Sequence, residues 1–264
     1  MSKTIFITGA SAGLGKATAK LFASKGWTVI ATMRKPENET ELNRIGNITV
    51  LPLDVTNPDQ IKETTQKAIA LGVDVVFNNA GYGLYGAMEA VSDEQIMQEI
   101  NTNLVGVLRV TQAFIPYFRE KKGGMFITTT SIGGLAAYPL GSVYHATKWA
   151  LEGWSESVSF ELKQFGIIVK NIVPGLINTE FLGRSLEYVP HAAYTQLFEK
   201  LFGAFKPADY SSPAPVAEVV FEAATDGKDT FRYLAGADAI AIYEKRRQMG
   251  DEAFRKEIEQ TLIN

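Results

Sequence analysis

Residues 8–15 of the chain read Thr8-Gly9-Ala10-Ser11-Ala12-Gly13-Leu14-Gly15. The run before them predicts a strand over residues 4–8, and the sequence after them predicts a helix over residues 16–25 that ends at Gly26. Glycines allow a tight turn and let backbone N–H groups approach an anion, to which the helix N-terminus adds partial positive charge. Strand, turn and helix together predict a dinucleotide pyrophosphate site at Gly9, Ser11, Gly13, Leu14 and Gly15.

The same alternation of short β-branched runs and helical segments continues along the chain. Further strands are predicted over residues 28–32, 48–53, 73–77, 125–130, 167–173 and 233–235. Helices are predicted over residues 58–70, 92–120 with a break, 144–165, 215–224, and 237–262 with a break at Gly250. This order predicts an α/β fold, a Rossmann-type doubly wound parallel sheet that binds ligands beyond the carboxyl ends of its strands. We expect one domain over residues 1–264, with an insertion over residues 176–212.

Composition excludes several classes of function. The formal net charge is −3, which argues against nucleic acid as a partner, since that role needs a basic face. The chain has no cysteine and only two histidines, His145 and His191, so neither a thiolate zinc site nor a histidine-rich metal site is expected. We expect neither a signal peptide nor a membrane span before the glycine turn, and we expect a soluble cytoplasmic protein.

Several motifs besides the turn lie after predicted strands. They are Asp54-Val55, Asn78-Asn79-Ala80-Gly81 and Pro174-Gly175, the last followed by Ile177 and Thr179. With these motifs the chain resembles the short-chain dehydrogenase/reductase family over residues 4–180, and it looks similar to the 17β-hydroxysteroid and retinol dehydrogenase-like members. The resemblance implies an NAD(P)-dependent oxidoreductase acting on CH–OH groups. It further implies that Asp54 and Val55 meet the adenine, that Asn79, Ala80 and Gly81 line the cofactor site, and that Pro174, Gly175, Ile177 and Thr179 meet the nicotinamide amide.

The choice of cofactor depends on the residue after the second strand. An acidic residue there binds the ribose hydroxyls of NAD and repels the 2′-phosphate of NADP. Here Met33 is followed by Arg34 and Lys35, and a guanidinium can pair with a phosphate through two donors. Ala12 stands where NADP-dependent relatives often have a basic residue, and Arg34 could be a solvated loop residue. We therefore expect NADP(H) to be preferred and NAD(H) to remain possible.

Tyr144 and Lys148 lie four residues apart in a predicted helix, so both side chains project from one face. A lysine ammonium at ~4 Å would bring the tyrosine pKa from ~10 towards neutrality, where acid–base catalysis is effective. Alone the pair is a weak signal. The resemblance adds Ser131 and Asn103, and it implies that Tyr144 exchanges a proton with the substrate oxygen that Ser131 positions. It also implies that Lys148 lowers the tyrosine pKa, that Tyr144 and Lys148 contact the cofactor, and that Asn103 supports a proton-relaying water.

His145 is interpreted as a packing or surface residue, because a neighbour one position along a helix points elsewhere.

The insertion over residues 176–212 is rich in aromatic residues. They are Phe181, Tyr188, Tyr194, Phe198, Phe202, Phe205 and Tyr210. Phe198, Phe202 and Phe205 have helical spacing, so the segment is either a helix packed on the domain or a lid over a small hydrophobic carbonyl or alcohol substrate, or both. A β-ketoacyl thioester reductase and a non-catalytic nucleotide-sensing protein of the same fold stay open as alternatives. The resemblance also implies a homo-oligomer, a dimer or tetramer, and no membrane partner is expected.

Overall fold

The computed structural model describes residues 2–177, 186–204 and 211–263. Its strands are β1 (Thr4–Ile7), β2 (Thr28–Met33), β3 (Ile48–Pro52), β4 (Val75–Asn78), β5 (Gly83–Gly86), β6 (Gly124–Thr129), β7 (Ile167–Pro174), β8 (Leu186–Val189) and β9 (Arg232–Ala235). Within the described residues, seven of them form a parallel sheet in the order β3-β2-β1-β4-β6-β7-β9. The strand order reverses between β1 and β4, the position at which doubly wound sheets bind ligands. The predicted Rossmann-type α/β single domain is confirmed.

The helices are α1 (Gly13–Ser24), α2 (Pro58–Ala70), α3 (Asp93–Ile100), α4 (Gly106–Lys121), α5 (Ser142–Lys163), α6 (Thr195–Ala204), α7 (Pro213–Thr225), α8 (Ala237–Met249) and α9 (Asp251–Leu262). Every predicted strand is present with its ends within two residues. Helix α1 begins three residues earlier than expected, so Gly13 and Leu14 belong to its first turn.

The sheet is buried on both faces because side chains alternate along each strand. Ile5 and Ile7 pack into the apolar layer beneath α1 and α7, while Phe6 packs into the opposite layer against Phe114 of α4. A parallel sheet needs this two-sided cover, since neither face can be left to water.

Local capping signals fix two of the helix starts. The Asn57 side chain accepts hydrogen bonds from the backbone of Asp59 and Gln60 at the start of α2, and Ser92 and Gln95 form the reciprocal capping box of α3. The break expected within residues 92–120 is one turn of π-helix, Asn101–Val105, between α3 and α4. Such turns occur often at functional sites.

The insertion contains structure that the sequence did not indicate. Strand β8 pairs in parallel with β5 to form a second, two-stranded sheet, with Tyr85 opposite Tyr188. Helix α6 packs through Leu201 against Leu262 of α9, so the packing alternative for this segment is correct. The expected break at Gly250 separates α8 from α9. None of the helices in the described part of the chain is long and apolar enough to span a bilayer.

Candidate active site

A cavity of about 700 Å³ opens at the carboxyl ends of the central strands. Its wall contains sixteen of the residues expected at the site: Gly9, Ser11, Gly13, Leu14, Arg34, Asp54, Val55, Asn79, Ala80, Gly81, Ser131, Tyr144, Lys148, Pro174, Gly175 and Ile177. Gly15 and Asn103 are not part of the wall. Thr179 lies outside the described residues, as do Phe181, Phe205 and Tyr210.

The glycine turn is held tightly against the end of β4. Gly9 has a φ of +68°, and a Cβ on it would lie 2.8 Å from the Cα of Ala80. A Cβ on Gly15 would lie 2.3 Å from the carbonyl oxygen of Gly9 and 2.7 Å from the amide nitrogen of Asn79. Gly15 was expected to contact the cofactor. That contact stays a prediction, and in the structure Gly15 allows α1 to pack closely behind the turn, because this place has no room for a side chain.

The first turn of α1 has N–H groups available for an anion. Its N-cap residue is Ala12, which has no side-chain acceptor, and no side-chain cap is formed. The backbone N–H groups at the start of a helix then lack intrahelical partners and carry partial positive charge. The narrow cradle and this uncapped helix start fit the pyrophosphate of a dinucleotide.

Arg34 gives one end of the cavity its positive charge. It follows Met33, the buried last residue of β2, and its side chain is exposed at the cavity wall. Lys16 of α1 is held elsewhere, with its Nζ 3.2 Å from Glu39 and 2.8 Å from Glu41. Among the described residues of the wall, the one arginine is Arg34 and the one lysine is Lys148. Arg34 is therefore the cation placed to meet a phosphate beyond β2.

Ser131, Tyr144 and Lys148 meet at the ends of β6 and α5. The Ser131 hydroxyl oxygen accepts a hydrogen bond from the backbone N–H of Gly133 at 3.0 Å, and the side chain also hydrogen-bonds to Tyr144. Lys148 Nζ donates to the carbonyl oxygen of Thr129 at 2.9 Å and lies 5.8 Å from the Tyr144 ring centroid. The helical spacing thus places both side chains on the cavity, as predicted.

The ionisation of this pair differs from the expectation. Burial raises the pKa of Tyr144 to about 12, the bond from Ser131 opposes this only in part, and the negative charge of Glu99 adds to it. Burial also lowers the pKa of Lys148 to about 8, although Glu99 and Glu152 oppose that shift. The pKa of Tyr144 is thus raised and not lowered as expected, and Lys148 is not among the groups that shift it. With this raised pKa, the Tyr144 hydroxyl keeps its proton at pH 7.

Asn103 lies behind the cavity in the π-helical turn. Its side chain is buried, donates to the carbonyl oxygen of Tyr82 at 2.7 Å and accepts from the Tyr82 backbone N–H at 3.0 Å. Both groups of the amide are used to fix the backbone that follows Gly81. The water-supporting role that the resemblance implies for Asn103 stays a prediction.

His145 is buried, so the packing interpretation is correct, but its ring also holds the loop after Ser131. Nδ1 lies 2.8 Å from the carbonyl oxygen of Gly133, and Nε2 accepts from the backbone N–H of Tyr138 at 3.0 Å. This pattern requires the neutral ring with its proton on Nδ1. Burial, which lowers the pKa of His145, favours the same form.

The far end of the cavity is lined with aromatic and aliphatic side chains. The Tyr85 ring lies 5.9 Å from the Tyr144 ring and 5.7 Å from that of Phe202 on α6. Phe202 packs in turn on Phe198 at 4.4 Å. Tyr85, Tyr138 and Ile242 of α8 were not predicted, because their wall positions depend on the β5–β8 pairing and on the return of the C-terminal helices.

A family model described as short chain dehydrogenase matches residues 3–188. An uncharacterized oxidoreductase of Schizosaccharomyces pombe is 39% identical over 226 residues, which cover 84% of this chain and 96% of that protein. A 3-ketodihydrosphingosine reductase of Bacteroides thetaiotaomicron is 38% identical over 179 residues, which cover 67% of this chain and 65% of that protein.

Solved structures share the fold along nearly the whole chain. A short-chain dehydrogenase from Streptomyces avermitilis superposes with a TM-score of 0.85 at 29% identity, over 98% of this chain and 95% of that chain. An alcohol dehydrogenase from the archaeon Thermococcus sibiricus, complexed with 5-hydroxy-NADP, superposes with a TM-score of 0.74 at 25% identity, over 90% of this chain and 97% of that chain.

Proposed function

The chain belongs to the short chain dehydrogenase family and is an oxidoreductase of that family acting on CH–OH groups, and we propose that it reduces hydrophobic carbonyl compounds to alcohols with NADPH. One observation carries the proposal. The neutral phenol of Tyr144, bonded to Ser131, lies in one cavity with the glycine cradle on one side and the aromatic wall on the other.

The residues of the cavity wall fit a nicotinamide dinucleotide. The glycine turn and the start of α1 would hold the pyrophosphate, Asp54 and Val55 the adenine, and Arg34 the 2′-phosphate. Pro174, Gly175 and Ile177 would meet the nicotinamide amide, and Lys148 its ribose. The bound cofactor supplies the hydride. The 5-hydroxy-NADP in the Thermococcus sibiricus relative supports NADP(H) as the preferred cofactor, with NAD(H) possible.

Tyr144 would donate the proton that the reduced carbonyl oxygen needs. A tyrosine whose pKa is about 12 holds its proton at neutral pH, which favours the direction of reduction. The hydroxyl of Ser131 would position the substrate oxygen beside the phenol. Lys148, buried and bonded to Thr129, would stabilise the phenolate that forms when the proton leaves.

The aromatic wall supports an apolar substrate. Tyr85, Tyr138, Leu201, Phe202 and Ile242 offer rings and aliphatic surface rather than charges, and the wall beside them also contains the carboxylates of Glu187 and Asp238. The reductase of Bacteroides thetaiotaomicron supports a ketone as the reacting group, since its name describes a keto compound. A ketone carried on an apolar chain or ring system suits both observations.

The test is to follow the oxidation of NADPH and of NADH by absorbance with aliphatic, aromatic and steroid ketones and with β-ketoacyl thioesters. We expect turnover of apolar ketones with NADPH, and loss of turnover in Tyr144→Phe. Retained turnover in Tyr144→Phe would overturn the mechanism. Preference for a thioester would support the β-ketoacyl alternative. Cofactor binding without turnover of any carbonyl would support the non-catalytic one.

A homo-oligomer is the second part of the proposal. The side chain of Phe160 on α5 is 71% exposed, and that of Trp149 on the same helix is 44% exposed. Large apolar side chains that project from one helix are typical of a subunit interface. Light scattering of wild type and Phe160→Glu tests it: we expect a dimer or tetramer that the charge weakens, and a wild-type monomer would refute it.

A further inference from the structure

A row of polar side chains runs along α3 and the π-helical turn after it, from the protein surface into the core. Gln95, Glu99 and Asn103 are four residues apart, so they share one helix face. Gln95 donates a hydrogen bond to the exposed Glu187 of β8, Glu99 is completely buried, and Asn103 is buried behind the cavity. A helix face directed into a core is normally apolar, so this row needs an explanation.

Only one of the two carboxyl oxygens of Glu99 has a hydrogen-bond partner among the described residues. Its Oε1 accepts a hydrogen bond from the backbone N–H of Leu84 at 2.9 Å, and the amide nitrogen of Asn103 lies 3.4 Å away. Its Oε2 is buried and has no hydrogen-bond partner among the described residues. A glutamine could accept the same bonds without the cost of burying an ionisable group. The acid is therefore not required for the structure.

Charged and titratable groups face Glu99 from each element packed against it. Lys148 and Tyr144 face it from α5, Glu187 from β8, and Tyr82 from the segment before β5. Burial raises the pKa of Glu99 to about 7, while its bond to Leu84 and the charge of Lys148 oppose the rise. Glu99 can therefore gain or lose a proton near neutral pH.

The active-site pair and Glu99 also influence one another. The charge of Glu99 acts to raise the pKa of Tyr144, and it also opposes the lowering of the Lys148 pKa by burial. A Cβ on Gly81 would lie 3.0 Å from the amide oxygen of Asn103 and 4.0 Å from Nζ of Lys148, so the two side chains lie near the same glycine. The row thus runs from Glu187 at the surface to Asn103, which lies near the same glycine as the Lys148 side chain.

We propose that Glu99 is a relay residue that returns a proton to the Tyr144–Lys148 pair after each reduction, by way of the polar row. The inference rests on the proposed function. Tyr144 loses its O–H proton to the substrate oxygen, and Lys148 returns one to the phenolate through a bridging hydroxyl or water. Glu99 gives its carboxyl proton to the Lys148 amine through an intervening water and takes one from water beside Gln95 and Glu187. One proton enters from water for each proton that leaves in the product, and none of these groups is oxidised or reduced.

Two variants test the relay. Glu99→Gln keeps the acceptor for Leu84 and removes the titrating proton, while Glu99→Asp restores a carboxyl group. Glu94→Gln, an exposed carboxylate on the same helix, is the matched control. The first readout needs no substrate: in wild type we expect an infrared band of a protonated buried carboxyl that titrates near pH 7. The band should be absent in Glu99→Gln and unchanged in Glu94→Gln.

The second readout is the pH profile of ketone reduction at saturating NADPH and ketone. We expect kcat of Glu99→Gln to fall by about tenfold, less than the 10²–10⁴-fold contribution of a general acid itself. The pH profile of Glu99→Gln should lose the step near pH 7, while its KM for NADPH stays unchanged. Glu99→Asp should recover part of the lost kcat.

Three results would overturn the relay: a wild-type profile in Glu99→Gln, an equal loss of kcat at every pH in both variants, or no infrared band to remove. Failure of the proposed function looks different. In that case wild type reduces no ketone or Tyr144→Phe keeps its rate, and the relay fails with it. An inactive Tyr144→Phe beside an unaltered Glu99→Gln refutes the relay alone.

Discussion

The Nδ1 atom of His145 lies 2.8 Å from the carbonyl oxygen of Gly133, two residues beyond Ser131. The other ring nitrogen accepts a hydrogen bond from Tyr138, so one imidazole joins α5 to both ends of the loop that Ser131 begins. Tyr144 is the neighbour of His145 on α5. The ring therefore fixes the separation between the residue that would position the substrate and the residue that would protonate it.

Replacement of His145 by phenylalanine should reduce both stability and catalysis. The change removes the hydrogen bonds of the ring to the Gly133 carbonyl and to the Tyr138 N–H, at a cost of about 1–3 kcal/mol for each bond. We expect a lower melting temperature and a lower kcat, with little change in the affinity for NADPH, because the loop lies away from the glycine cradle. His191→Ala, which removes the other histidine, is the control. Equal kcat in wild type and His145→Phe would show that the loop does not need the ring.

His145 should also make stability depend on pH. Its pKa is lowered in the folded protein, chiefly by burial. Below the ordinary value of 6.5 the unfolded chain therefore binds a proton that the folded protein excludes. The stability that the neutral His145 ring contributes is complete above about pH 6.5 and is lost as the pH falls through the lowered pKa. Thermal unfolding across this range should show a decline in wild type that is smaller in His145→Phe.

Arg34 should determine the preference between the two cofactors. A hydrogen-bonded charged pair contributes about 1.5–3 kcal/mol, so we expect Arg34→Ala to weaken NADPH binding by about tenfold to a hundredfold. NADH, which has no 2′-phosphate, should bind as before. Lys35→Ala, the exposed neighbour that is not in the cavity wall, should change neither affinity. Fluorescence titration with both cofactors measures this, and an equal loss for NADPH and NADH would refute the role of Arg34.

The parts of the fold that the sequence predicts are those that local chemistry determines. The glycine turn, the Asn57 and Ser92 caps and the β-branched strands each carry their own signal, and a parallel sheet follows from their order. The pairing of β5 with β8 has no such signal. Gly83-Leu84-Tyr85-Gly86 contains two glycines and pairs with a strand about a hundred residues later, so tertiary context decides it.

The identity of the site residues could be predicted where a residue type has one evident chemical use. Their pKa values could not, because these depend on the surroundings of each side chain in the fold. Tyr144, Lys148 and Ser131 were found from their spacing and the family resemblance. The pKa of Tyr144 was not, because the sequence gives the spacing to Lys148 along the helix but not how far each side chain is removed from water. The position of Glu99 four residues before Asn103 is a signal that could have been used, since both must occupy the same helix face.

Glu99 should destabilise the folded protein at alkaline pH. Its pKa rises from the ordinary value of 4.5 to about 7 on folding, so between these values the unfolded chain releases a proton that the folded protein keeps. Unfolding therefore becomes easier as the pH rises through this window, by about 3 kcal/mol in total. Glu99→Gln removes the effect. Its gain in unfolding free energy over wild type should be larger at about pH 8 than at about pH 5. Denaturant titration measures this gain, and a gain independent of pH would refute the raised pKa.

Two glycines with left-handed backbone allow the free-energy cost of backbone strain to be measured apart from the cost of a steric clash. Gly9 and Gly26 have φ values of +68° and +80°, but only Gly9 has a neighbour where a Cβ would lie, the Cα of Ala80 at 2.8 Å. Gly26→Ala should cost about 1–2 kcal/mol of stability, the strain of a left-handed alanine. Gly9→Ala adds a contact that neither backbone can easily relieve, so we expect a larger loss. It should also abolish NADPH binding, because the turn must move away from β4 to make room. Thermal unfolding and cofactor titration of both variants measure these effects. If Gly9→Ala were no worse than Gly26→Ala in either assay, the close approach of the turn to Ala80 would not be what shapes the cradle.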